Sequence, residues 1–168
     1  MSSRWGRLLV IAALLAGCSQ NGDLPGFAPD FRLDTLSHRR FYLNEHRGKV
    51  VVLVFWMTIC TICKEEKVGL NTLHRALEPR GVVVASVCSD PENLDTVHRI
   101  ARRLEIDYPI LLDHGAKVSK KYSVQVLPTT VVIGPRGRLR FIRVGYSPSI
   151  MRQIRSKAES LLSEGLET

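Results

Sequence analysis

The tightest constraint on this chain is the run KVVVLVF at residues 49–55, where one lysine is followed by six apolar residues without a break. A strand with one face in water alternates apolar and polar side chains. This one does not, so both of its faces need cover, as in the centre of a sheet with helices packed against it. The stretches 82–87 (VVVASV) and 129–133 (TTVVI) are also read as strands. Between the first two, residues 61–77 carry Leu70, Leu73 and Leu77 at spacings of three and four, which predicts a helix with one buried face, closed by Gly81. Pro91 is expected to open a second helix, with an apolar stripe of Leu94, Val97, Ala101 and Leu104. A short strand at 110–112 and a short helix at 116–122 follow. Pro128 precedes the strand at 129–133, and the turn Gly134-Pro135-Arg136-Gly137 returns the chain as an antiparallel strand at 139–144. A last helix turns Ile150, Ile154, Ala158 and Leu161 inward, and a short hairpin at 31–33 and 40–43 stands ahead of the whole series. Alternating strands and helices, then a hairpin and a helix, predict an α/β fold: a three-layer sandwich around a mixed sheet.

The 168 residues are 45% apolar and 24% charged, with 12 Gly and 8 Pro. Such a composition suits one globular domain and excludes a disordered chain, a collagen-like or coiled-coil fibre and a polytopic membrane protein. The N-terminus differs from the rest. Arg4 and Arg7 precede an apolar stretch at 8–15, and small residues lead to Cys18, the pattern of a signal peptide. The apolar stretch is well short of the roughly 20 residues that a spanning helix needs. Leu15-Ala16-Gly17-Cys18 resembles the bacterial lipobox, which implies cleavage before Cys18 and acylation of that cysteine. Residues 1–17 are therefore expected to be a lipoprotein signal peptide, 18–26 a lipidated polar tether and 27–168 the folded domain. A plain signal peptide with an incidental cysteine is the alternative. The formal charge of +8 falls to about +6 when the leader takes away Arg4 and Arg7 and no acid. On the extracytoplasmic side of a bacterial membrane, periplasmic in a Gram-negative cell, that excess suits anionic lipid headgroups or an acidic partner, and not nucleic acid.

Four cysteines, Cys18, Cys60, Cys63 and Cys88, are too few for a disulfide scaffold and enough for chemistry. Cys60 and Cys63 flank Thr61-Ile62 where the first long strand gives way to its helix. A thiol at a helix N-terminus meets unpaired backbone N–H groups and the positive end of the helix dipole, which lower its pKa from about 8.5. Cys60 lies nearest those donors and is the expected nucleophile, with Cys63, one turn behind, the resolving thiol. A two-residue spacer lets the sulfurs bond, so the pair is able to cycle between dithiol and disulfide. A zinc half-site and a purely structural disulfide are the alternatives, and zinc lacks a second ligand pair. No metal and no cofactor is expected. Cys88, at the end of the strand at 82–87, reads as a buried, inert cysteine, with a third redox thiol as the alternative. His38, His46, His74, His98 and His114 show no ligand spacing, and the alternation of Arg136, Arg138 and Arg140 with Leu139 and Phe141 reads as a solvated face.

The segment FWMTICTICK at 55–64 resembles the active-site segment of the thioredoxin superfamily. The surrounding chain resembles its TlpA/ResA-like branch of membrane-tethered thiol-disulfide oxidoreductases, relatives of the AhpC/TSA redoxins. Ala28-Pro29-Asp30-Phe31, Arg47-Gly48-Lys49-Val50-Val51, Leu127-Pro128-Thr129-Thr130 and Gly137 carry the likeness over nearly the whole domain. It implies a thioredoxin-like three-layer α/β/α sandwich with a mixed central sheet and an N-terminal β-hairpin extension. It implies further that Pro128 is a cis-proline facing the cysteine pair, with Leu127 offering backbone N–H and C=O to an extended substrate; a trans strand-entry proline is the alternative. Glu66, three residues after Cys63, matches a glutamate that tunes the thiols in this branch, an exposed helical glutamate being the alternative. Trp56, Thr61 and Ile62 flank the site.

The activity so implied is reduction of disulfides in exported proteins, apocytochrome c among them, with electrons from a membrane thiol carrier. The sequence also departs from the pattern. Ile62 stands where a proline is common, Ile59 replaces a tryptophan, Val68 replaces a helix proline, and Val54 stands where thioredoxin has a buried aspartate. These changes bear on pKa and potential, which span about −270 to −120 mV in this superfamily, and the missing acid at Val54 makes Glu66 the substitute. Two other functions compete. A peroxiredoxin-like thiol peroxidase needs a P-x-x-x-T-x-x-C segment absent here, and a copper-delivery lipoprotein of this fold usually spaces its cysteines by three.

Overall fold

Val50–Trp56, the unbroken apolar run, is a strand buried along its entire length. It lies in the middle of a seven-stranded sheet in a computed structural model that describes residues 26–166. The expected signal peptide, Cys18 and nearly all of the tether fall outside those residues. Along the chain run β1 (Arg32–Thr35), β2 (Arg40–Tyr42), β3 (Val50–Trp56), α1 (Thr61–Leu77), β4 (Val82–Cys88), α2 (Leu94–Arg103), β5 (Ile110–Leu112), α3 (Lys117–Lys121), β6 (Thr129–Ile133), β7 (Leu139–Val144) and α4 (Pro148–Leu166). The spatial order is β2-β1-β5-β4-β3-β6-β7. Strands β3, β4 and β5 are parallel. β6 and β7 return antiparallel on one side, and the β1–β2 hairpin adds antiparallel strands on the other.

The crossovers through α1 and α2 step across the sheet in the same direction, and their common right-handedness sets both helices on one face. There Leu70, Leu73 and Leu77 of α1 and Ile154, Ala158 and Leu161 of α4 pack on Val50, Val52, Val54, Val82, Val84 and Val132. Val97 and Ile100 of α2 pack on Trp56, Cys88 and Ile110. The two-residue period of β3 sends Val51, Leu53 and Phe55 to the opposite face, beside Val118 of α3 with Phe31, Phe41 and Leu43. The sandwich is therefore uneven, with three helices on one side and a five-residue helix on the other. Asp113 fixes that short helix, accepting from Val118 N at 2.9 Å and Ser119 N at 2.8 Å.

One expected boundary moves. Pro91 lies ahead of α2, which starts at Leu94 because the Asn93 side chain accepts from Thr96 N at 3.0 Å and caps it. Leu94 consequently points outward, 39% exposed, and the buried stripe is Val97 and Ile100. Two glycines are forced by geometry. Gly81 takes φ 95° to turn the chain into β4. At Gly137 a Cβ would stand 1.1 Å from Arg47 Nη1, whose guanidinium donates to Arg136 O at 2.6 Å.

Candidate active site

The head of α1 carries the two cysteines. Cys60 is the N-cap residue, its backbone extended (φ −79°, ψ 106°) and its Sγ accepting from Cys63 N at 3.3 Å. The two sulfurs are joined as a disulfide of 2.04 Å. The partners differ in environment: Cys60 is half-buried and Cys63 has no exposure at all. Beside Cys60, Ile59 is 78% exposed and Thr61 and Ile62 are open to water. Trp56 closes the site from below, buried in one cluster with Cys63 and Cys88.

The turn between β3 and α1 is pinned by a carboxylate that sequence reasoning missed. Asp90, just past β4, accepts from Thr58 N at 2.8 Å, from Thr58 Oγ1 at 2.6 Å and from the Cys88 thiol at 3.4 Å. Ser89 N donates to Trp56 O at 2.9 Å and extends the seam. A buried, hydrogen-bonded thiol is what the structure makes of Cys88, and burial pushes that thiol up to about 12.

The Leu127–Pro128 peptide is cis. β6 pairs Thr130 with Val54 and Thr129 with Phe55, so continuing the register by one residue brings Pro128 level with Trp56, at the strand end from which the cysteine turn departs. Leu127 packs against the cluster that holds Trp56 and Cys63. Its backbone N–H and C=O carry no hydrogen bond among the described residues. Val126 stands beside it, 56% exposed.

Glu66 is fully buried, not exposed on the helix, and its Oε1 accepts from Thr130 Oγ1 at 3.0 Å while Oε2 has no partner. Burial raises its pKa, and the Thr130 hydrogen bond and then Lys67 pull it back. Lys67, which the sequence reading passed over, is equally buried, its Nζ 3.8 Å from the centroid of the Trp56 ring and without a hydrogen-bond acceptor. A signal for it existed: Lys67 is four residues after Cys63 and three before Leu70, on the helix stripe that faces the core. No cluster of three His, Cys, Asp or Glu side chains that would hold a metal ion occurs among the described residues.

Comparison with known proteins agrees with this arrangement. The model of the AhpC/TSA family matches residues 26–142. The thiol-disulfide oxidoreductase ResA of Geobacillus thermodenitrificans is 36% identical over 118 residues, 70% of this chain and 67% of that protein. ResA of Bacillus subtilis is 31% identical over 144 residues, 81% of this chain and 80% of that protein. Among solved structures, a thiol:disulfide interchange protein DsbE from Chlorobium tepidum superposes with a TM-score of 0.76 at 23% identity, over 81% of this chain and 95% of that one. That last likeness establishes the thioredoxin-like fold.

Proposed function

Because this chain belongs to the AhpC/TSA family and is a thiol-disulfide oxidoreductase of the ResA type with its C-x-x-C at Cys60 and Cys63, we propose that it reduces disulfides of exported proteins, apocytochrome c among them, from the extracytoplasmic face of a bacterial membrane. The observation that carries the reading is the inequality of the two sulfurs. Cys60 is partly exposed at a helix N-terminus, and Cys63 is sealed beneath it. An attacking thiol needs access and a stabilised anion, whereas a resolving thiol needs only to reach its neighbour.

In the reduced enzyme the Cys60 thiolate attacks one sulfur of the substrate disulfide and releases the other as a thiolate. Cys63 then attacks Cys60 Sγ, frees the second substrate sulfur and leaves the Cys60–Cys63 disulfide. A membrane thiol carrier returns two electrons to it. Ile59, Ile62 and Val126 present apolar surface to the residues beside the substrate cysteine, and Leu127 offers its open backbone groups to an extended segment. The acylated Cys18 holds the enzyme to the bilayer, each buried methylene contributing about 0.8 kcal/mol.

Replacing Cys63 with Ala in the full chain tests this. The variant should accumulate mixed disulfides through Cys60 that are captured with their partners and identified by mass spectrometry. If nothing is trapped and the wild type reduces no protein disulfide, the reading fails. A reduction potential at the oxidising end of the superfamily would reverse the direction of electron flow.

A further inference from the structure

Lys67 takes no part in the reaction above, yet its nitrogen is shut away from water without an acceptor. An unpaired charge in such a place is far more costly than an apolar side chain of equal length. Its position in the fold shows what it serves. Lys67 follows Cys63 by four residues on α1, so the two share a face. Helical side chains lean toward the N-terminus, which carries the Lys67 nitrogen back toward Cys63. It comes to rest 3.8 Å from the centre of the Trp56 ring, and Trp56, Cys63 and Cys88 are packed in one buried cluster.

The charged and titratable groups around this chamber are few. α1 itself contributes Glu66, which is tied to Thr130 on β6 and faces Tyr108. β4 contributes Cys88, whose thiol already donates to Asp90. From α2 and β5 the apolar Val97, Ile100, Ala101 and Ile110 pack against it. Among these, Cys63 is the group that acquires a full negative charge during the reaction.

Resting on the oxidoreductase reading, we propose that Lys67 is the proton acceptor and counter-charge for Cys63 in the step that closes the disulfide. With Cys60 joined to a substrate sulfur, the Cys63 thiol passes its proton to the neutral Lys67 amine. The resulting thiolate attacks Cys60 Sγ. The Cys60–Cys63 bond forms, the bond from Cys60 to the substrate breaks, and its electron pair leaves on the substrate sulfur, which takes a proton from water. The Lys67 ammonium, left in a dry site once the thiolate is consumed, then releases its proton to solvent. Burial lowers the lysine pKa, with Glu66 and then Cys88 opposing, so the amine form is accessible near neutral pH.

The test is a single turnover of the full chain with thionitrobenzoate linked to Cys60, whose coloured release reports the attack by Cys63. Lys67→Met keeps length and removes charge; Lys67→Leu serves if the methionine chain does not fold. The pH midpoint of release should rise by about one unit and release near neutral pH should slow about tenfold. Lys67→Arg, which keeps the charge but has no free amine to accept a proton, should not restore wild-type release near neutral pH. A purely structural lysine would leave the midpoint in place. A folded Lys67→Met chain that loads at Cys60 and releases with the wild-type midpoint overturns the proposal and leaves the oxidoreductase reading standing. A wild type that neither loads nor releases overturns that reading, and the proposal with it.

Discussion

The two sides of the helix head invert the usual distribution of polarity. Outside, beside Cys60, stand Ile59 and Ile62, apolar and in water; inside, behind Cys63, stand Glu66 and Lys67, ionisable and dry. Each side gives up stability that the opposite choice of residues would supply. Their common centre is the disulfide, and the contrast divides its work. The outer side meets a protein substrate, and the inner side governs where protons and charge reside while sulfur bonds exchange. Thr58 marks the seam, held by Asp90 on the way from buried Trp56 to exposed Ile59.

Substitutions on the two sides should break this contrast in different ways. The largest effect comes at the centre: Cys60→Ser should abolish disulfide reduction altogether in an insulin-turbidity assay while leaving the fold intact, since a serine is no nucleophile at neutral pH. On the inner side the signature is pH-dependent stability. Glu66 is raised from 4.5 to about 7, so the folded chain keeps a proton that the unfolded chain releases, and stability falls as pH rises through that window. Lys67 is lowered from 10.5 to about 7, so above that pH the unfolded chain holds the extra proton and stability rises toward 10.5. Urea midpoints taken across pH should lose the fall in Glu66→Gln and the rise in Lys67→Met, and slopes that persist in both variants would show that other groups set them. At the seam, Asp90→Ala removes the acceptor of the Thr58 hydrogen bonds and should cost about 1–3 kcal/mol in denaturant unfolding. The outer side should respond least in stability: Ile59→Ser should stay within about 0.5 kcal/mol of the wild type. Its KM for a protein disulfide should nonetheless rise several-fold, with kcat unchanged.

How much of this was legible depends on whether a residue obeys its local pattern. The continuous apolar run announced β3, and the spacing of Leu70, Leu73 and Leu77 matched α1 from Thr61 to Leu77, because burial there follows hydrophobicity. Pro91 misled because a side-chain cap at Asn93, not the proline, sets the start of α2. The cysteine pair was evident from spacing alone. Its inner support was not read: Glu66 entered by family likeness, Lys67 stood on the core-facing stripe of α1 but was passed over as a charge, and Asp90 acts through contacts with Thr58 that periodicity does not encode. The unevenness of the layers was equally hidden, since no local pattern states that α1, α2 and α4 share one face.

β7 ends the sheet, and Arg138, Arg140 and Arg143 lie at or along it. An open strand edge invites a second copy to add its own strand, and two copies meeting here would bring like charges together before any backbone bond formed. Arg138 is further occupied by the Phe27 ring, 4.6 Å from its guanidinium, and Arg140 by Glu164 at 2.8 Å. The cations along this edge thus weigh against the addition of a second strand there.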